Sequence, residues 1–188
     1  MLNKDLPSPE LLRKLLRYEP ETGKLFWRER TADFFNEGKQ TAEHNCAIWN
    51  GKHAGNEAFT TNNGDRYKKA KIFRKKYFAH RVIWAMVYGT WPKLEIDHIN
   101  GIRSDNRLSN LREVTRAENA KNLKRSRNNT SGVIGVSWNN KSKKWYAEIV
   151  VNCKIKRLGY FDNIKDATFA RKEAEKKYGF HPNHGRNW

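Results

Sequence analysis

The sequence predicts an α+β protein in two parts, the second a small three-stranded antiparallel sheet packed on one helix. Three observations carry that prediction. The block AHRVIWAMVY at 79–88 is apolar nearly all round and is stopped by Gly89 with Pro92 beyond, as a buried helix would be. Beyond residue 130 the period changes to three strand-like runs and then one amphipathic stretch. Between the two parts, KNLKRSRNNT at 121–130 has four basic residues, no acid, and Leu123 as its one large apolar residue, so it reads as a linker or a DNA-tracking arm. The expected division is therefore 1–120, a linker at 121–130, and 131–188, in keeping with 188 residues as one medium domain or two small ones.

The elements follow in order. Ser8 caps a helix that Pro9 opens, Leu11, Leu12, Leu15 and Leu16 share one face, and the helix should end near Tyr18. Pro20 to Gly23 supplies a turn, and KLFWR is a short aromatic strand. From Thr31 to Asn56 no period is sustained, so this stretch is expected to be mostly loop. KKAKIFRKKYF up to Phe78 is a basic and aromatic strand pair or hairpin. In the last third, GVSWNN, WYAEIVV and IKRLGYF are strands, with Trp145, Ala147, Ile149 and Val151 alternating onto one face. A helix follows with a stripe of Ile164, Ala167, Phe169, Ala170, Ala174 and Tyr178, and Gly179 at its end.

Charge narrows the class of partner. With 38 Lys+Arg against 20 Asp+Glu the net charge is +18, and both parts share the excess, so a polyanion is attracted to both. Nucleic acid is the first candidate. No apolar run approaches the roughly 20 residues that span a bilayer, and the N-terminal residues lack the pattern of a signal peptide, so an intracellular, cytoplasmic protein without a membrane partner is expected. Cys46 and Cys153 are too few for a Cys-based zinc finger or a disulfide scaffold.

The chemistry concentrates in EIDHINGIRSDNRLSNLREVTRAENAKN, residues 95–122. If EIDHI and LREVT are paired strands joined by a structured loop, Asp97 and His98 end one strand, Asn110 precedes the other, and Asn119 projects from the helix begun by RAENAKN. Such a set can converge on one phosphate: a neutral imidazole takes a proton from water, and the hard oxygens of Asp97 and Asn119 suit Mg²⁺. Asn110 could accept a hydrogen bond that fixes the His98 ring. Each element also has a plainer reading, since Asn100-Gly101 is an ordinary hairpin turn signal and Asn106, Asn110 and Asn119 could be turn formers or caps.

The ordered set resembles the signature of the HNH nucleases, specifically the phage- and intron-type homing endonucleases in which the third His is replaced by Asn. Asp97-His98, Asn110 twelve residues after the His, and Asn119 on the following helix all fall in place. ETGKLFWRER and AHRVIWAMVYGTWP resemble the framework that precedes this motif in such proteins. The resemblance implies a ββα-metal nuclease domain over 1–120, with His98 as general base, Asn110 orienting it, Asp97 and Asn119 as metal ligands, Mg²⁺ or Mn²⁺ as the cofactor with no small-molecule cofactor, and double-stranded DNA as the partner. One such site cleaves one phosphodiester, so a monomer should nick and a double-strand break needs a homodimer or a second engagement. The cysteine pairs that often flank this motif are absent here.

Residues 131–179 resemble the DNA-binding domain of plant ethylene-response factors, a module also attached to phage HNH endonucleases. In that family the sheet enters the major groove. On this alignment Ser137, Asn139, Glu148 and Arg157 face bases or phosphates, with Lys144 and Tyr146 beside them, and Lys124, Arg125 and Arg127 of the linker add phosphate contacts. Ser137, Asn139 and Val150 stand where that family has arginines, and the same residues could simply be a solvated strand face. Other histidines are given plainer roles: His80 as a packed framework residue, and His181 and His184 as part of a frayed tail. The leading expectation is a metal-dependent DNA endonuclease, phage-encoded and acting inside the host cell. A non-catalytic sequence-specific DNA-binding protein is the alternative, and an RNA-binding protein the third reading.

Overall fold

In the computed structural model, residues 6–62, 64 and 66–187 are described. The outer limits of the two expected domains, 1–5 and 188, lie outside the described residues. The chain divides into two compact units: one holds the chain up to His98 together with Ile102–Glu113, the other Ile99–Gly101 and the chain from Val114 on. This division falls inside the segment expected as the first domain.

In the first unit Ser8 caps α1 (Pro9–Leu15), its Oγ accepting from the Leu11 N–H at 3.2 Å. The helix stops at Leu15, three residues before the expected end. Leu16 instead starts strand β1 (Leu16–Glu19), whose backbone groups pair antiparallel with β2 (Lys24–Trp27), Leu16 opposite Trp27. Leu12, Leu15 and Leu16 are all fully buried, so the leucine run serves two elements. The segment expected as loop holds α2 (Ala42–His53), capped by Thr41 Oγ1. No residue of α2 is buried, so its sequence has no apolar period to read. Contacts to Arg30 hold it: the guanidinium lies 3.7 Å over the Trp49 ring, and Cys46 Sγ donates to the Arg30 carbonyl at 3.0 Å.

β3 (Glu57–Ala58) completes the first sheet beside β2. A second sheet, in the order β4 (Thr61–Asn62), β5 (Lys68–Ile72), β6 (Lys75–Phe78), contains the expected basic hairpin. α3 (Ala79–Tyr88) ends at Gly89, whose φ of 71° supplies the left-handed cap. Two short strands, β7 (Glu95–His98) and β8 (Leu111–Val114), form a ribbon. Val82, Ile83 and Ala85 of α3 pack with the α1 leucines, Leu25, Ile72, Ile96 and Leu111 into one core. The ribbon is thereby anchored through Ile96 and Leu111 while Asp97 and His98 carry the polar end.

The second unit contains α4 (Arg116–Ala120), opened by a reciprocal capping box between Thr115 and Glu118. Strands β9 (Val136–Asn139), β10 (Lys144–Val151) and β11 (Lys154–Phe161) form an antiparallel sheet with β10 central, and α5 (Ile164–Lys177) packs against it through a core of Val136, Ala147 and Ala167. Two expectations are corrected here. Phe169 is 70% exposed: the buried face of α5 runs through Ala167, Arg171, Ala174 and Glu175 at helical spacing, and Phe169 lies off it. The tail is not frayed. His184 is buried, and the Gly185 N–H donates to the Leu123 carbonyl at 2.8 Å while Arg186 Nη1 donates to the Asn122 carbonyl at 2.7 Å. Among the described residues no helix is long and apolar enough to cross a membrane.

Ile83→Ala is expected to cost about 2–5 kcal/mol through loss of buried volume, read as a lower midpoint of urea unfolding, whereas Phe169→Ser should stay within about 0.5 kcal/mol of the parent.

Candidate active site

His98 is the last residue of β7 and is buried. Its Nε2 lies 3.0 Å from Asn106 Oδ1. Asn106 is itself buried, and its Nδ2 donates to the Ser104 carbonyl at 3.4 Å, which turns Oδ1 toward the ring. An amide oxygen only accepts, so Nε2 carries the proton and the lone pair of the neutral imidazole sits on Nδ1. Burial is the largest influence on this group and pushes its pKa below the ordinary imidazole range; the Asn106 bond and the charges of Asp97 and Asp105 pull it up, and Arg103 pushes it down. His98 is therefore neutral at neutral pH.

The loop that presents Asn106 is braced from three sides. The Tyr18 hydroxyl donates to the Asn106 carbonyl at 3.2 Å and accepts from the Leu108 N–H at 2.9 Å. Asn110, buried at the end of a 3-10 turn, donates through Nδ2 to the Asp105 carbonyl at 2.8 Å. Gly23, in the β1–β2 turn with φ of 72°, stands backbone to backbone against the loop: a Cβ there would lie 2.6 Å from the Asn106 carbonyl carbon. Hence the N-terminal hairpin fixes the loop, and the loop fixes the imidazole.

Asp97 is buried beside His98, and Arg112 from β8 donates to its Oδ2 through Nε at 3.0 Å and Nη2 at 2.8 Å. On its other side the His98 ring meets an aromatic group. His80 lies edge-on at 5.2 Å and Tyr67 at 5.8 Å, with Arg103 over Tyr67 at 4.8 Å. Burial, then the charges of His98 and Arg81, lowers the His80 pKa from 6.5 to about 3, so this ring stays neutral, and its buried Nδ1 has no hydrogen-bond partner among the described residues.

Of the four motif residues, Asp97, His98 and Asn110 belong to the first unit and Asn119, on α4, to the second. Taken separately, the Asp97 carboxylate and the Asn119 amide oxygen are hard donors of the kind that divalent cations such as Mg²⁺ or Mn²⁺ take. Among the described residues no cluster of three or more His, Cys, Asp and Glu side chains could hold a metal. On the C-terminal sheet, Ser137 and Tyr146 are cross-strand partners, as are Asn139 and Lys144, and Glu148 and Arg157; partners share a face, so these six lie on the face opposite Ala147 and Ile149. Lys144 pairs with Asp162 at 3.0 Å, and Asn139 Oδ1 accepts from the N–H groups of the β9–β10 turn. In the linker, Arg125 Nη1 donates to the Gly132 carbonyl at 2.6 Å, Lys124 is half-buried and Arg127 is exposed.

Sequence reasoning treats Asn106 as a turn former and does not single out Tyr18, Gly23 or Arg112. Arg112 has a signal, an opposite charge to Asp97 on the expected partner strand. The others make long-range contacts with no local signature.

Residues 77–121, from the end of β6 through α4, match the HNH endonuclease family. The chain belongs to that family. It is similar to Protein 3.8 of Escherichia phage T7, with 35% identity over 88 residues that span 46% of this chain and 73% of the phage protein. No solved structure matches.

Gly23→Ala combines a strained backbone with a clash against the Asn106 loop. It is expected to cost about 1–3 kcal/mol and to shift the His98 ring resonances in long-range ¹H–¹⁵N spectra, whereas Gly38→Ala, with open space around it, should do neither. His80 sets an acid limit. The unfolded chain takes up this proton near 6.5 and the folded chain only at about 3, so stability is whole above about 6.5 and falls as pH drops toward 3. His184, held down at about 4 chiefly by burial, adds a second such group. His80→Phe should therefore flatten, without abolishing, the decline of the urea midpoint between these values.

Proposed function

We propose that the chain is a divalent-metal-dependent endonuclease hydrolysing phosphodiester bonds of duplex DNA, of the phage homing or nicking type. The observation that carries the proposal is the His98 imidazole, neutral and oriented through Nε2 by Asn106 within a family motif. In this reading Nδ1 takes a proton from the attacking water as the water adds to phosphorus. The Nε2–H bond to Asn106 stabilises the imidazolium that results, and Asp97 next to it adds a compensating charge. Asn110 acts on His98 by holding the Asp105 carbonyl, and with it the loop. Asp97 and Asn119 would hold Mg²⁺ or Mn²⁺, which when bound supplies charge stabilisation at the phosphate and at the departing 3′ oxygen.

The remaining roles concern binding. The outward face of the C-terminal sheet, with Ser137, Asn139, Lys144, Tyr146, Glu148 and Arg157, is assigned to duplex DNA in the manner of the ethylene-response-factor domain it resembles. Lys124, Arg125 and Arg127 would add phosphate contacts, which fits the excess of cations in this part of the chain. One site serves one strand, so a protomer is assigned a nick and a pair of protomers a double-strand break. The similarity to a phage protein supports a phage-encoded enzyme acting within the host cell.

The test is supercoiled plasmid incubated with Mg²⁺, with Mn²⁺ and with EDTA. Nicked circles should accumulate only with metal, and His98→Ala should lower the rate by about 10²–10⁴-fold, the range of a missing general base. Asn106→Ala should lower it less and move the acid limb of the pH–rate profile. Wild-type protein that binds the plasmid and leaves it supercoiled under all three conditions would instead be a non-catalytic DNA-binding protein.

A further inference from the structure

The hairpin formed by β5 and β6 is not explained by the needs of the fold. Lys68, Lys69, Lys71, Arg74, Lys75 and Lys76 put six cations into nine residues, and the sequence has no acidic residue from 66 to 94. Alternation sends Ala70, Ile72 and Tyr77 into the core and leaves Lys69, Lys71 and Lys76 on the other face with Phe78, where Lys69 is half-buried, Lys71 and Lys76 are exposed, and all three line an open cleft beside Trp27 and His53. Lys71 and Lys76 are direct cross-strand partners, and like charges placed opposite each other destabilise a sheet by some tenths of a kcal/mol. Neutralisation from within is scarce. Glu57 reaches Lys68 at 3.8 Å and is shared with Lys24, whereas among the described residues no carboxylate pairs with Lys69, Lys71, Arg74 or Lys76.

The tip of the hairpin is built against preference as well. Phe73 and Arg74, with φ of 47° and 68°, occupy the left-handed positions that a two-residue turn usually gives to Asn and Gly. Phe73 lies over Phe34 with ring centres 6.3 Å apart and planes 13° from parallel, which anchors the tip and leaves Arg74 exposed beyond it. At its other end the same face meets the active-site rings. Phe78, the partner of Lys69, stacks on His80 at 5.6 Å and meets Tyr67 at 5.7 Å, and both of those rings touch His98. Phe78 lies four positions beyond Arg74, roughly 13 Å at strand rise. A row of that length can address several phosphates of a duplex, which carries about one charge per 1.7 Å of axis.

We propose that the outer face of the β5–β6 hairpin, Lys69, Lys71 and Lys76 with Arg74 at the tip, is a contact surface for the phosphate backbone of duplex DNA that leads the strand toward His98. It rests on the DNA substrate of the preceding section and adds a contact surface on the nuclease unit itself. A polyanion is the ligand that converts the Lys71–Lys76 repulsion into attraction, and a rigid row ending at the imidazole suits a backbone better than a flat anionic surface.

The test uses the full chain carrying His98→Ala, so that the probe survives, and a fluorescein-labelled duplex titrated at several NaCl concentrations. The combined variant Lys69→Gln, Lys71→Gln, Lys76→Gln should lower the slope of log affinity against log salt by about 2–3, near 0.9 for each phosphate no longer neutralised, and weaken binding at low salt by tenfold or more. The triple Lys→Arg variant, which keeps the charge, should restore the slope and thereby exclude misfolding as the cause. An unchanged slope in the Gln variant overturns the proposal, as would loss of binding to phosphatidylserine vesicles with duplex binding intact. Wild-type plasmid cleavage is scored separately: cleavage with an unchanged slope removes only the hairpin surface, whereas a reduced slope without cleavage supports that surface and removes the nuclease reading.

Discussion

The bond between His98 Nε2 and Asn106 Oδ1 is the constraint on which the rest of the first unit depends. A buried imidazole with no acceptor on one nitrogen would be free to flip or to change tautomer, and a base must present its lone pair in one direction. Asn106 removes that freedom only if it is itself immobile. Its loop is therefore tied to elements far away in sequence, to Tyr18 through the hydroxyl bridge and to Gly23 through close backbone packing. These lie on the β1–β2 hairpin, beside an α1 whose leucines pack with Ile83 and Ile96. A core of aliphatic side chains thus determines the direction of one lone pair.

Charge has to satisfy two opposed demands. A net charge of +18 attracts nucleic acid and, by the same field, resists protonation of any histidine. For the proposed base that second effect is useful at rest, because burial and Arg103 keep His98 neutral. It would be harmful after proton transfer, when an imidazolium must be tolerated in the same place. Asp97 and Asp105 offset it locally, and Arg112 and Arg107 hold those two carboxylates in position. His80 shows what the environment does without such compensation: burial first, then its interactions with the His98 ring and Arg81, lower its pKa to about 3 and leave it a neutral packing group.

The legible parts of the sequence are those with a local physical signature. The apolar block ended by Gly89, the Ser8 cap, the alternation through Trp145 to Val151 and the strand-like runs EIDHI and LREVT each follow from short-range geometry, and the elements appear where those signals lie. Where a signature is missing, sequence reading fails. α2 is held by Arg30 stacking on Trp49 and has no buried face, so nothing periodic marks it. Phe169 enters the expected α5 stripe because it is large and apolar, but the helical spacing from Ala167 passes through Arg171 and Ala174, and position 169 turns outward. Asn106 shows the limit most directly. Its neighbours Asp105 and Arg107 give it the composition of a turn, and only folding brings it to a ring eight positions away.

The C-terminal tail escapes sequence reading for a related reason, and its true role bears on the second unit. That unit has a small apolar core, with Val136, Ala147 and Ala167 fully or almost fully buried, so burial alone gives it little stability. Polar groups make up the difference. Arg171, buried in α5, donates to Glu175 at 3.0 Å and to the Glu148 carbonyl at 2.7 Å, and His184 of the tail closes against it at 3.3 Å. Glu175 also accepts from Lys172 at 2.8 Å, so its two oxygens are held by cations from two positions of α5. The tail is thus part of the unit's interior. Through Asn183 it also donates to the carbonyl of Ile99 at 3.1 Å, a carbonyl that Asn122 reaches at 3.3 Å. Ile99 belongs to the same unit, so the tail, Ile99 and Asn122 are joined in one hydrogen-bonded network within it.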